Sequence, residues 1–538
     1  MARLLGIDIG TTSFKAAVFD ESGNMLASHS VRAPDESIRL DGAKVDIWRS
    51  EAAWESLCEI VGRVLEIVPP REIDAVAIVG MGMVGVPLDV QGRPLGPMAT
   101  WIDPAHTQSI VTELGIDNRD LFAVTGNRCS AIYPPIWIAW MSAHCPGYSS
   151  GMKKWVDIGA YLTYRLCNEL AVDFSLASQF VCLDQRSLSF SAEIMESFGL
   201  ALDLFATPRQ AGLRLGEVSN AAGADTRLVP GTPVILGAAD YITGVLGGGF
   251  TEPGDIVILT GTWELVVVAL AAPALGAELE AIGAICDAHV APQRWALRME
   301  NYSGGVSEWY RAQLGQLHGG GEDAGAFWRR LIGDAESAKR GAGGVVFVPH
   351  LFGSFGPRYD ELARGAFVGI RSSTTRQDIA RALFEGLCLQ SMDAYRALID
   401  AAHLDPTRVV FMGGATKNDF WVRTRANMLG REIEVVASPD VTPRGAAMIA
   451  GVGSGVFSGF GEAVDMMKPP TATIAPNLED AAYYAELCEG IYRPLQEALA
   501  PTNQALTSLE AAVDTGSGVA PPPPQNSTAT EGVTSHER

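Results

Sequence analysis

The chain has 538 residues, 47% of them hydrophobic, and a formal net charge of −22. That length exceeds one hydrophobic core and suits two large domains, while the acidity excludes nucleic acid and an anionic membrane surface as partners, since both need concentrated Lys and Arg. The eight cysteines show no CxxC pair and no metal spacing, so they read as small buried hydrophobes of a reducing cytoplasm.

No basic, apolar leader precedes the first predicted strand, and the apolar run 265–277 is broken by Pro273 and too short to span a bilayer. Residues 6–15, Gly-Ile-Asp-Ile-Gly-Thr-Thr-Ser-Phe-Lys, predict a strand with Asp8 inside it and a Gly-Thr-Thr turn after it. Ile7 and Ile9 point to one face and Asp8 to the other. A buried carboxylate without a partner costs too much to keep, so Asp8 calls for a cation or fixed donors, and Mg²⁺ held partly through water is the usual solution. Gly10 lets backbone approach an anion, while Thr11 and Thr12 offer hydroxyls and N–H groups to phosphate oxygens. The strand resumes through Lys15 and returns after a turn at 21–24. This is a phosphate hairpin; a Walker loop would need GxxxxGK[ST] opening a helix.

Residues 73–79 predict another strand, followed by Gly80-Met81-Gly82-Met83-Val84-Gly85, a literal GxGxxG. A dinucleotide site would need that turn to open a helix. Pro87 and the Gln91-Gly92 turn predict a hairpin there, so the glycines read as close backbone approach beside a substrate; a nicotinamide-binding oxidoreductase is the opposing reading. Trp101 and Asp103 sit two apart on a predicted strand and share a face, either an apolar wall and a carboxylate for substrate hydroxyls or a core Trp beside a turn Asp. Asp240 follows the apolar strand 233–236 and precedes a glycine-rich helix, where it can act as a base for a substrate hydroxyl or cap the helix.

Residues 255–268 repeat the pattern of strand, Gly261-Thr262 turn and strand. Two phosphate hairpins half a chain apart imply a duplicated domain with nucleotide between the copies. This layout resembles the actin, Hsp70 and sugar kinase superfamily, which implies an α/β fold of two ribonuclease H-like (actin-like ATPase) domains, each a five-stranded mixed sheet with flanking helices, and a catalytic cleft between them. Further on, the strand 409–412 ends at Gly413-Gly414, where backbone can lie flat against a purine or sugar before an amphipathic stretch from Asn418 to Leu429. From Pro501 the composition turns to Thr, Ser, Gly, Ala and Pro, which predicts a disordered tail.

The order of these motifs resembles the FGGY carbohydrate kinases over residues 1–500. The shared segments are the first hairpin, the glycine-rich sugar loop, a D-x-x-G-x-P-L-x-P-x-x-x-W-x-D stretch from Asp89 to Asp103, the Gly-x-x-Asp block at Gly237–Asp240, the second hairpin, a P-x-L-x-G…A-R-G segment from Pro349 to Gly369, and Gly413-Gly414 with Arg444-Gly445-Ala446 beyond it. The resemblance implies an N-terminal domain over 1–245 that binds sugar, a C-terminal domain over 246–500 that binds ATP, and the tail over 501–538. It implies ATP and Mg²⁺ as cofactors, with Asp240 as catalytic base. Gly10, Thr11, Thr12, Lys15, Gly261, Thr262, Gly304, Gly305, Gly413, Gly414 and Asn418 would hold nucleotide; Gly82, Met83, Trp101, Asp103 and Asp240 would hold substrate; and Asp8 with Asp240 would hold metal.

Met81 and Met83 stand where the xylulose kinase branch carries Gln and His, and Pro104 replaces a common Arg, so the expected substrate is a ketopentose or a deoxyketohexose with a less polar end. A polyol kinase and an actin- or Hsp70-like ATPase switch are the alternatives. The resemblance also admits a homodimer.

Overall fold

The computed structural model describes residues 1–102, 104–314, 323–436, 438 and 440–514. Its N-terminal sheet is built from β1 (Arg3–Ile9), β2 (Ser13–Asp20), β3 (Met25–Arg32), β4 (Ala75–Gly80), β5 (Arg214–Glu217) and β6 (Pro233–Ile235), in the order β5-β6-β4-β1-β2-β3. The second sheet contains β7 (Asp255–Thr260), β8 (Trp263–Leu270), β9 (Ile285–Ala288), β10 (Trp295–Tyr302), β11 (Arg408–Gly413), β12 (Ile433–Val436) and β13 (Thr471–Ile474), in the order β9-β10-β8-β7-β11-β12-β13. Each holds the same core of five strands, three antiparallel and then two parallel to the first. The expected count of five is therefore corrected to six and seven. Short antiparallel strands cover the edge beside β6 and both edges of the second sheet, pairing backbone groups that would otherwise be open.

The helices packed around these sheets include α1 (Ser50–Val64), α2 (Asp240–Gly248), α3 (Gly304–Gln313), α4 (Arg376–Ala402), α5 (Asp419–Leu429), α6 (Val441–Ser454) and α7 (Arg493–Asp514). Strand alternation sorts the apolar residues as the sequence predicts. Leu5, Ile7 and Ile9 join α1 in one core, whereas Leu4, Ala75 and Ala77 face α6. In the second sheet Ile256, Ile258 and Val266 pack toward α4, while Val257 and Val267 face the N-terminal lobe.

The lobes meet through α2 and α6, and small residues set how closely. A Cβ on Gly6 would stand 2.0 Å from the Pro443 carbonyl oxygen, and one on Gly247 would stand 1.8 Å from that of Val441. Hydrogen bonds close a second seam: Cys286 N–H donates to the Gly126 carbonyl at 2.8 Å, and the Trp295 ring N–H donates to that of Gln185 at 3.1 Å.

Residues 501–514 depart from the predicted tail, because α7 runs through Pro501 to Asp514. Ala505, Leu506, Leu509 and Ala511 are good helix formers, and Arg364 holds the helix by donating to Glu510 at 2.6 and 2.8 Å and to Thr507 at 3.0 Å. The remainder of the expected tail lies outside the described residues. No helix among the described residues is long and apolar enough to cross a membrane.

Candidate active site

Asp8 and Lys15 are cross-strand partners one pair away from the turn of the first hairpin, so both side chains leave one face. Lys15 Nζ pairs with Asp440, just ahead of α6. The Asp8 carboxylate accepts no hydrogen bond among the described residues. Burial, reinforced by the nearby Asp240 carboxylate and partly offset by Lys15, raises its pKa to about 8. Asp240 opens α2 as its first helical residue, and Ala239 is the N-cap, so the capping alternative is corrected. Among the described residues its Oδ1 accepts only the next residue's N–H, from Tyr241 at 2.7 Å. Burial pushes the Asp240 carboxyl up, and the Tyr241 N–H and the Arg298 guanidinium pull it partly back.

The two hairpins present comparable turns. Gly10 N–H bonds to the Ser13 carbonyl at 3.1 Å, and Gly261 N–H bonds to that of Trp263 at 2.8 Å. Thr11 is half-buried, whereas Thr12 and Thr262 are exposed at the turn tips. Gly304 and Gly305 start α3 against the second hairpin: Gly305 N–H donates to the Thr262 carbonyl at 3.1 Å, and a Cβ on Gly304 would meet the Gly261 carbonyl at 2.1 Å. A cavity of about 450 Å³ lies there, lined by Gly261, Thr262, Tyr302, Gly304, Trp309 and Phe352. Gly413 adjoins the same hairpin as the cross-strand partner of Thr260. Its φ of 100° and a Cβ position 2.2 Å from the Thr260 carbonyl both demand glycine. A Cβ on Gly414 would meet nothing within 4 Å. Asn418 caps α5 by accepting from Trp421 N–H at 3.1 Å, and its amide nitrogen makes no hydrogen bond among the described residues.

The glycine fingerprint opens no helix: the segment after it forms the strand Gly85–Leu88, paired with Lys154–Asp157. Gly82 N–H donates to Gln179 Oε1 at 2.9 Å. Met81 is buried and Met83 half-buried beside it. Trp101 lies on the strand Met98–Ile102, opposite Asp46, and Asp103 lies outside the described residues.

Sequence reasoning missed the supports beneath these residues. Asp173 accepts from the N–H groups of Ser175 and Leu176, both at 2.9 Å, and Ser175 Oγ accepts the Ala239 N–H at 3.0 Å, fixing the backbone just ahead of Asp240. The Asp-x-Ser spacing is the signal that could have exposed this capping turn. Asp157, fully buried, caps a neighbouring helix through Ala160 N–H at 2.9 Å, but its other oxygen has no partner among the described residues.

Burial raises the Asp157 pKa to about 7. The folded state therefore holds a proton that the unfolded chain has released above its ordinary range near 3.8, and this group's contribution to stability falls as pH rises through that window. Asp157→Asn keeps the capping oxygen and removes the ionisation, so its melting temperature relative to wild type should climb between pH 5 and 7.5. A difference independent of pH would refute the assignment.

Two α/β lobes, each a mixed sheet with a Gly-Thr turn in its leading hairpin and joined through α2 and α6, have the two-domain actin-like architecture. Residues 3–247 match the N-terminal domain of the FGGY family of carbohydrate kinases, and residues 256–454 match its C-terminal domain. The chain belongs to that family and is an ATP-dependent carbohydrate kinase. It is 26% identical over 456 residues to the L-fuculokinase of Salmonella typhi, covering 85% of this chain and 93% of that protein. It is 24% identical over 476 residues to the gluconokinase of Bacillus subtilis, covering 86% and 90%. The crystal structure of a xylulose kinase from Rhodospirillum rubrum superposes with a TM-score of 0.81 at 24% identity, covering 93% of this chain and all of that one.

Proposed function

We propose that the protein transfers the terminal phosphoryl group of ATP to a hydroxyl of a ketopentose or a 6-deoxyketohexose, of the xylulose, ribulose or fuculose type. The observation that carries this reading is that Asp240 and Asp8, from separate motifs, come together beside the turn of the first hairpin, because Ala239 bridges Gly80 and Gly80 pairs with Ile9. Residues 1–245 would carry the sugar loop and that hairpin, and residues 246–500 the nucleotide. Phosphoryl transfer needs positioning and charge neutralisation together with one acceptor for the hydroxyl proton, and Asp240 is placed for the last.

The residues fit Mg²⁺. Asp8 is a recessed carboxylate with no hydrogen-bond donor among the described residues, and Asp240 stands next to it. This ion needs only one or two protein carboxylates when phosphates and water complete its shell. When bound, it neutralises charge on the phosphates. Thr11, Thr12 and Lys15 would orient them from one lobe and Thr262 from the other, and closure of the lobes would exclude water. Met81 and Met83 favour a substrate with an apolar end, as does the similarity to fuculokinases. The eight free cysteines fit a reducing compartment such as the cytoplasm.

Measuring ADP release on a panel of D-xylulose, D-ribulose, L-fuculose, glycerol and erythritol tests the proposal. Stimulation by a ketose supports it, and stimulation by the polyols alone replaces it with a polyol kinase. Gly82→Ala probes the sugar loop. Its Cβ would fall 2.7 Å from Gln179 Oε1 and 3.2 Å from the Leu176 carbonyl, displacing the glutamine. The sugar KM should rise about tenfold, as for loss of one well-placed hydrogen bond, with the ATP KM unchanged. Loss of ATP affinity at constant sugar KM would reassign the loop to nucleotide.

A further inference from the structure

Register places an unusual strip of charge between the lobes. Glu300 and Arg298 on β10 lie opposite Leu265 and Val267 on β8, so all four leave the same face of the sheet. Val267 and Ala296 on that face share a core with Leu4 and Ala77 of the N-terminal lobe, whereas Val266, Leu297 and Met299 of the alternate face pack into the C-terminal core. Arg298 and Glu300 thus face the cleft.

Asp287, opposite Ala296, completes the strip. Arg298 Nε donates to Asp287 at 2.9 Å and another of its nitrogens pairs with Glu300, while Asp287 also accepts from Tyr241 Oη at 2.8 Å and Asn127 Nδ2 at 3.0 Å. The Asp287 side chain is fully buried and that of Arg298 is 5% exposed, but Glu300 keeps 20% of its side chain open. Its Oε1 accepts no hydrogen bond among the described residues. The strip adjoins the candidate chemistry, because the Arg298 guanidinium lies 4.9 Å from the ring of Tyr241, the residue after Asp240.

The charges of the strip are Asp287 and Glu300 against Arg298, which the two carboxylates share, and the nearby Lys15 is paired with Asp440. A neutral hydroxyl can donate to the open Glu300 oxygen in a charge-assisted bond. A substrate carboxylate would meet net negative charge and find no unshared cation among these groups.

We infer that Glu300 is a specificity-determining residue: it accepts a hydroxyl of a neutral polyhydroxy substrate, and with its acidic neighbours makes the site reject sugar acids. This rests on the kinase reading above. It is not implied by the similarities, since one relative is a gluconokinase.

The test is steady-state kinetics of wild type and Glu300→Gln with D-xylulose, L-fuculose and D-gluconate, followed by monodeoxy analogues of the preferred ketose. Wild type should phosphorylate a neutral ketose and ignore gluconate. Glu300→Gln should raise the ketose KM about 10- to 100-fold, as for a hydrogen bond to a charged group, with kcat within a few fold and the ATP KM unchanged. One deoxy analogue should show equal KM in both proteins, a pattern that a merely structural role does not produce. If the Gln variant does not fold, Glu300→Asp keeps the charge, and it should raise the ketose KM while still refusing gluconate.

An unchanged ketose KM in a folded Glu300→Gln variant, or gluconate as the best wild-type substrate, overturns the inference and leaves the kinase reading standing. Absence of ADP release with every sugar overturns both.

Discussion

Asp240→Asn should lower turnover on the order of 10²- to 10⁴-fold, the usual contribution of a positioned general base. Asparagine has nearly the same shape and can still accept the Tyr241 N–H that Asp240 now holds at 2.7 Å, so the start of α2 stays intact. What disappears is the proton acceptor beside Asp8, together with one negative charge that helps raise the Asp8 pKa. Sugar and ATP should still bind, measurable by calorimetry, and the melting temperature should stay near that of wild type. Activity within a few fold of wild type would mean that another group takes the proton and that Asp240 is only part of a helix start.

Gly247→Ala should damage both stability and activity through a single methyl group. The added Cβ would fall 1.8 Å from the Val441 carbonyl oxygen and 2.7 Å from the Gly445 nitrogen. Those are backbone atoms, so α2 and α6 would have to move apart. Overpacking of a close-packed core costs about 1–3 kcal/mol, and each kcal/mol lowers Tm by roughly 2–4 °C in a domain of this size.

The functional loss follows from what the two helices carry. Asp240 starts α2, and Asp440, the partner of Lys15, immediately precedes α6. Separating them displaces the base relative to the phosphate turn. Calorimetric melting and kcat should therefore fall together, and a variant with unchanged Tm would show that this contact does not set the spacing of the lobes.

What could be seen in advance was local. A strand, a Gly-Thr turn and a second strand occupy consecutive residues, so both hairpins, the Asp8 position and the Gly413 turn were legible from spacing alone. Pro87 likewise showed that the fingerprint at Gly80 could not open a helix. Supports drawn from distant segments were not legible. Gln179 reaches Gly82 across 97 residues, and Asn127 reaches Asp287 across 160, and no pattern along one chain links such pairs. The edge strands beyond the five-stranded cores are too short for alternation to show, as with Arg214–Glu217 and Thr471–Ile474. The end of α7 was hidden because an average over the Pro-rich terminus masked the helix formers between Ala505 and Ala511. Asn418 was placed correctly at a helix start, but spacing could not show that its oxygen is already spent on Trp421.

The central claim, that this cleft passes a phosphoryl group from ATP to a sugar hydroxyl with Asp240 taking the proton, is tested most directly by the stoichiometry of products. Wild-type protein incubated with ATP, Mg²⁺ and its preferred ketose should form ADP and sugar phosphate in equal amounts, both dependent on the sugar and both suppressed in Asp240→Asn. ADP released at the same rate with and without sugar, with no sugar phosphate formed, would contradict the account and leave an ATPase in its place.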